Sequence, residues 1–116
     1  MGLIEDVALL GADTNDGMTR CMGKPELYER MLKKLPKVVE EAPVMPYVQS
    51  GDLDTALSNA HTLKGVVGNL SLVPLFNNYT EIVNLFRDAK PEKATELLAE
   101  TLKIQQSFLD CIKKYE

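Results

Sequence analysis

Reactive side chains are scarce in this sequence. Its 116 residues include one histidine, His61, no tryptophan, and two widely separated cysteines, Cys21 and Cys111. A single histidine cannot build a histidine-rich zinc site. Two distant cysteines form no CxxC pair, which excludes zinc ribbons and thioredoxin-like redox chemistry. Any nucleophile–histidine arrangement must run through His61. Excess positive charge is also missing: 13 basic against 17 acidic residues give a net charge of −4, the wrong sign for a general nucleic-acid binder. The tightest basic cluster, Lys33, Lys34 and Lys37, is followed by Glu40 and Glu41 and reads as a solvated helix face. No apolar run approaches the ~20 residues needed to span a bilayer. The first residues carry no basic region ahead of their apolar stretch, and Glu5 and Asp6 interrupt it, so no secretory signal is expected. Asp6 also stands where a myristoylation motif carries Ser or Thr. The expectation is a cytoplasmic monomer with free thiols, binding neither nucleic acid nor membrane.

Material for a core is plentiful, with 45% apolar residues. They recur at intervals of three and four, without sustained period-two alternation, and Pro and Gly cut the chain into helical lengths. A short amphipathic piece over about Leu3–Leu10 stops at Gly11. Asp13 and Thr14 offer caps for a second short helix, closed by Gly23. Pro25 suits the first turn of a longer helix with an apolar face of Leu27, Met31, Leu35 and Val38 or Val39, and Tyr28 on its flank. Pro36 lies inside that run and predicts a kink or an early stop. After Pro43 and Pro46, Asp52 is the natural N-cap of a helix reaching about Leu70. Pro74 and Pro91 open two more, the last with a wide apolar stripe from Ala94 to Ile112. The predicted fold is all-α: an antiparallel up-and-down four-helix bundle with short N-terminal helical additions. It forms one domain over 1–116, with a helical extension at about 1–23 and the bundle at about 24–116.

On the helix opened by Asp52, Leu53, Ala56, Ala60, Leu63, Val67 and Leu70 gather on one side and should face the core. His61 falls well away from that side, with Asp54, Ser58, Gly65 and Gly68 near it in projection and Lys64 flanking it. A mid-helix glycine costs roughly 0.5–1 kcal/mol relative to alanine. Two of them on the histidine's face point to clearance for a docking partner rather than to close helix packing. The chemistry that fits is phosphoryl transfer through imidazole, which requires chiefly positioning and charge compensation. Lys64, at i+3, is placed to meet phosphate oxygens as a point charge.

The run AHTLKGVVGNL, Ala60 to Leu70, resembles the signature of histidine-containing phosphotransfer (HPt) domains of bacterial-type two-component phosphorelays. There the phosphorylatable His is followed by Lys at +3 and Gly at +4 and +7, positions held here by His61, Lys64, Gly65 and Gly68. Leu63 and Leu75 fall on the family's apolar positions. The upstream run GADTNDGMTRCMGKPELYERMLKKL is similar to the segment that precedes this helix in many members, with Gly11, Asp13, Gly17, Arg20, Leu27, Tyr28 and Leu35 in step.

The resemblance implies a phosphorelay intermediate. His61 accepts a phosphoryl group from the aspartate of a response-regulator receiver domain and passes it to another receiver. A hybrid sensor histidine kinase is a further partner the resemblance allows. No cofactor is bound by the chain; Mg²⁺ belongs to the partner receiver. Gly65, Gly68, Ser58, Asp54, Leu57, Leu72 and Met22 are the candidate docking surface. Kinase and nucleotide-binding activity are not expected, and the sequence has no phosphate-cradling glycine loop.

Two positions depart from the family pattern. Ser71 stands at +10 in place of the common glycine and offers itself as a cap for the next helix. Val83 stands at +22, where members often carry Glu or Gln beside the histidine's second ring nitrogen, leaving Asn78, Glu81 or Asn84 as substitutes. The competing reading is an HPt-like helical module that binds signalling partners without carrying phosphate, whose usual mark would be loss of the histidine. A hydrolase using His61 as general base lacks a partner base and a metal set.

Overall fold

The computed structural model describes residues 2–116, so Met1, part of the expected 1–23 extension, lies outside the described residues. Every regular element among them is helical: α1 (Leu3–Leu9), α2 (Thr14–Arg20), α3 (Pro25–Leu32), α4 (Leu35–Glu41), α5 (Met45–Gln49), α6 (Leu53–Asn69), α7 (Val73–Arg87) and α8 (Pro91–Lys113). No helix among these residues is long and apolar enough to cross a membrane.

The boundaries follow from local chemistry. Asp13 and Asp52 cap α2 and α6 by accepting the backbone N–H of Asp16 and Thr55. Prolines occupy the first turn of α3, α4, α5, α7 and α8, where no intrahelical N–H is required. Pro36 accounts for the break between α3 and α4: it cannot donate to the carbonyl of Leu32, so α3 ends there and the proline starts a new helix.

Helices α6, α7 and α8 form the body of the molecule. Both α6 and α8 pack along α7, and the links 70–72 and 88–90 are short enough that neighbours run antiparallel. The 23 residues of α8 rise about 35 Å, which sets the long axis of a molecule measuring 41 × 23 × 21 Å. Helix α5 touches α6 and α8, α4 lies on α6, and α1 lies against α8, α2 and α3. The core runs from Leu3 and Val7 through Leu32, Leu35, Leu63, Val67, Leu75 and Ile82 to Phe108 and Ile112, all buried. Cys21 and Cys111 are both free and buried.

The core face of α3 differs from the expectation. Tyr28 is fully buried rather than flanking, and Met31, expected inside, is 38% exposed. With α3 stopped at Leu32, the inward positions become Tyr28, Leu32 and Leu35: Tyr28 and Leu32 replace Leu27 and Met31, one residue round, while Leu35 keeps its expected place. Burial of the phenol is made possible by a hydrogen bond donated from its hydroxyl to the Leu70 carbonyl at 2.7 Å. Leu53, expected in the core, is 38% exposed because it is the first residue of α6. One buried polar pair was not anticipated: Tyr79 on α7 donates its hydroxyl to the Gln105 side chain on α8.

Candidate functional site

His61 stands on α6, two turns from its N-terminus, and its side chain is exposed. Lys64, one turn further on, is half-buried. Neither side chain makes a hydrogen bond or ion pair with another described residue. The helix beneath them is anchored: Ala60 and Leu63, adjacent to His61 and Lys64, are buried, so the register that points His61 outward is fixed by the core.

Two hollows flank this stretch. The first is a shallow depression of about 350 Å³ lined by Asp54, Leu57, Ser58, His61 and Thr62 of α6 and by Arg87 of α7. The second, about 310 Å³, lies further along α6 between Gly65, Gly68 and Asn69, Val73 and Phe76 of α7, and Asp13, Asp16 and Arg20 of the α2 region. The expected docking residues therefore divide. Asp54, Leu57 and Ser58 share the depression with His61, whereas Gly65 and Gly68 line the second hollow. Met22, 74% exposed just beyond α2, lines neither.

Leu72 does not belong to a docking surface. It is fully buried at the start of α7 and forms part of the core. The turn through Ser71, which adopts a left-handed backbone with φ of 57°, carries Leu72 into the interior.

The two glycines also separate. A Cβ at Gly65 would meet open space, consistent with clearance at the surface. A Cβ at Gly68 would lie 2.9 Å from the Phe76 ring, so this glycine admits a side chain of α7. Helix packing, not clearance for a partner, explains Gly68.

Ser71 is not a helix cap either. Leu72 takes the N-cap position of α7 without a side-chain bond, and the Ser71 hydroxyl donates instead to Asp16 Oδ2 at 2.6 Å. The same carboxylate oxygen accepts from Arg20 Nε at 2.9 Å. The Ser71 carbonyl accepts the Asp13 N–H, also at 2.9 Å. Together with the Tyr28–Leu70 bond, these contacts clamp the turn at the end of α6 to the N-terminal helices. The Ser71 bond, with Arg20 second, holds the Asp16 carboxyl below the ordinary carboxylate value. Gly17 completes the clamp: a Cβ there would come within 2.5 Å of the Tyr28 ring.

Val83 is fully buried and offers no polar atom to the imidazole. Asn78, Glu81 and Asn84 line neither hollow. The residues missed from sequence are Arg87 and Phe76. Counting back along α6 and α7 from the Gly68–Phe76 contact puts Arg87 level with Leu57, a signal available once the two helices are folded about residues 70–72. No group of three or more His, Cys, Asp or Glu side chains among the described residues could hold a metal ion. No protein-family model, curated protein or solved structure matches the chain.

Proposed function

We propose that this chain is an HPt-type phosphocarrier in which His61 accepts a phosphoryl group from a receiver-domain aspartate and returns it to another. On this reading, α6, α7 and α8 are three members of an antiparallel four-helix bundle, and the segment broken at Pro36 supplies the fourth. The observation that carries the proposal is the setting of the only histidine. It is exposed on a helix fixed by the core, with Lys64 one turn away, unpaired, and open space at Gly65.

An imidazole nitrogen without a hydrogen attacks phosphorus, and the bond between phosphorus and the aspartyl oxygen breaks. The carboxylate leaves with the electron pair. The other ring nitrogen keeps its hydrogen, so the product is a phosphoimidazolium. Lys64 meets the charge spread over the phosphoryl oxygens in the transition state. Exposure of His61 matters because the reaction is an in-line transfer between two proteins, and a recessed imidazole could not reach a partner's aspartate.

The test is incubation with phosphorylated receiver domains from the same organism. Acid-labile phosphate should appear on the wild-type chain and be absent from His61→Gln. Lys64→Ala should still bind the receiver but transfer about 10-fold or more slowly, the scale of one charge-assisted contact. Receiver binding without any phosphate on His61 would instead establish the non-carrying interaction module.

A further inference from the structure

The depression beside His61 contains a second cation that the reading above leaves unused. Five of its lining residues, Asp54, Leu57, Ser58, His61 and Thr62, come from one face of α6, and Arg87 alone comes from α7. Arg87 is exposed and makes no ion pair with any described residue, although Asp54 lines the same depression. Thr62 already donates its hydroxyl to the Ser58 carbonyl, leaving the guanidinium as the strongest donor there. Lys64 lies one turn along α6 from His61, while the Arg87 depression extends from His61 toward the start of that helix.

We propose that Arg87 is a phosphate-binding residue of this site, its guanidinium closing on the phosphoryl group carried by His61 while Lys64 meets it from the other side. The inference rests on His61 being the phosphoacceptor and deepens that reading. A guanidinium suits the role because its planar fork can engage two phosphoryl oxygens at once, which an ammonium cannot do. Its place in the last turn of α7 also favours a cation through the helix dipole, a purely structural role that the experiment must separate. The Asp54 carboxylate opposes an anion in the depression, so the site needs a cation beyond Lys64 to favour the phosphorylated state.

The experiment uses phosphoramidate as donor, which removes the receiver from the comparison. His61 attacks phosphorus, the P–N bond breaks, and ammonia leaves with its electron pair. Wild type, Arg87→Gln, Arg87→Lys and, as a control for net charge, Lys90→Gln are compared. Arg87→Gln should acquire phosphohistidine about tenfold more slowly, the loss of one charge-assisted contact. Arg87→Lys should fall between, and Lys90→Gln should match wild type. The ³¹P resonance of the phosphorylated protein should titrate at higher pH in Arg87→Gln, because a guanidinium against the phosphoryl group favours its dianion. A purely structural arginine would leave that titration unmoved. Wild-type rates together with a wild-type titration in Arg87→Gln overturn the role of Arg87 while leaving His61 as acceptor. Failure of the wild-type chain to acquire phosphohistidine from either phosphoramidate or a phosphorylated receiver overturns both.

Discussion

Adding one methyl group should raise stability at Gly65 but not at Gly68. At Gly65 the new Cβ meets nothing, so Gly65→Ala should raise the unfolding free energy by roughly 0.5–1 kcal/mol through helix propensity alone. At Gly68 the same gain is opposed by displacement of the Phe76 ring, and Gly68→Ala should be no more stable than wild type. Urea unfolding of the two variants checks the pair. The phosphotransfer reading adds an asymmetry: Gly65→Ala should be the more stable protein and the poorer acceptor from a receiver. Nothing in the spacing of the two glycines separates them, since the difference lies in which one faces α7.

The turn between α6 and α7 behaves as an element of its own. Ser71 holds a left-handed conformation that disfavours side chains by about 1–2 kcal/mol, and its hydroxyl bond to Asp16 offsets that cost. Ser71→Ala keeps the strain and loses the bond, whereas Ser71→Gly loses the bond and the strain together. The glycine variant should therefore exceed the alanine variant by about 1 kcal/mol in chemical unfolding. Acid titration gives a second view. The Asp16 carboxyl is held below its ordinary value of 3.8, so its contribution is complete above that pH and is lost as the pH falls through the lower, folded value. The stability difference between wild type and Asp16→Asn should therefore shrink only below pH 3.8. Helix starts were legible because Asp caps and first-turn prolines act locally. The inward face of α3 was not, because the position of Tyr28 is decided by Leu70, 42 residues away. Nor was the fate of Leu72, which depends on how the backbone turns at Ser71. For the candidate site, the run from His61 to Gly68 was readable as a helix face. Arg87 was not, because it arrives from another helix.

At the scale of the whole molecule, tyrosines tie distant segments together. Tyr28 joins α3 to the end of α6, Tyr79 joins α7 to α8, and Tyr115 joins the C-terminus to Asp6 on α1. Burial pushes the Tyr28 hydroxyl up from 10.0 to about 12 and raises that of Tyr79 as well. The hydrogen bond to Asp6, followed by burial, carries Tyr115 from 10.0 to about 12. A group whose folded value is raised contributes stability that is complete below its unfolded value and is lost as the pH climbs through the folded one. The melting temperature should therefore hold up to about pH 10 and fall between pH 10 and 12, and Tyr28→Phe should flatten part of that decline. A melting temperature unchanged at pH 12 would contradict this account of the three phenols.

The open space at Gly65 also carries a requirement of shape. A helix clad in side chains has a radius of about 5–6 Å, but its Cα atoms lie only about 2.3 Å from the axis. At Gly65 the surface drops toward that inner cylinder, leaving a notch about 3 Å deep one turn beyond His61. A flat surface laid across His61 would bridge the notch and leave a void beneath it, losing dispersion contacts on both sides. A convex one, such as a loop crest or a projecting side chain, would fill the notch while its reactive group stands over the imidazole. On the phosphocarrier reading, a partner seated on His61 would therefore have to match this relief as well as the charge, bringing a ridge to the groove.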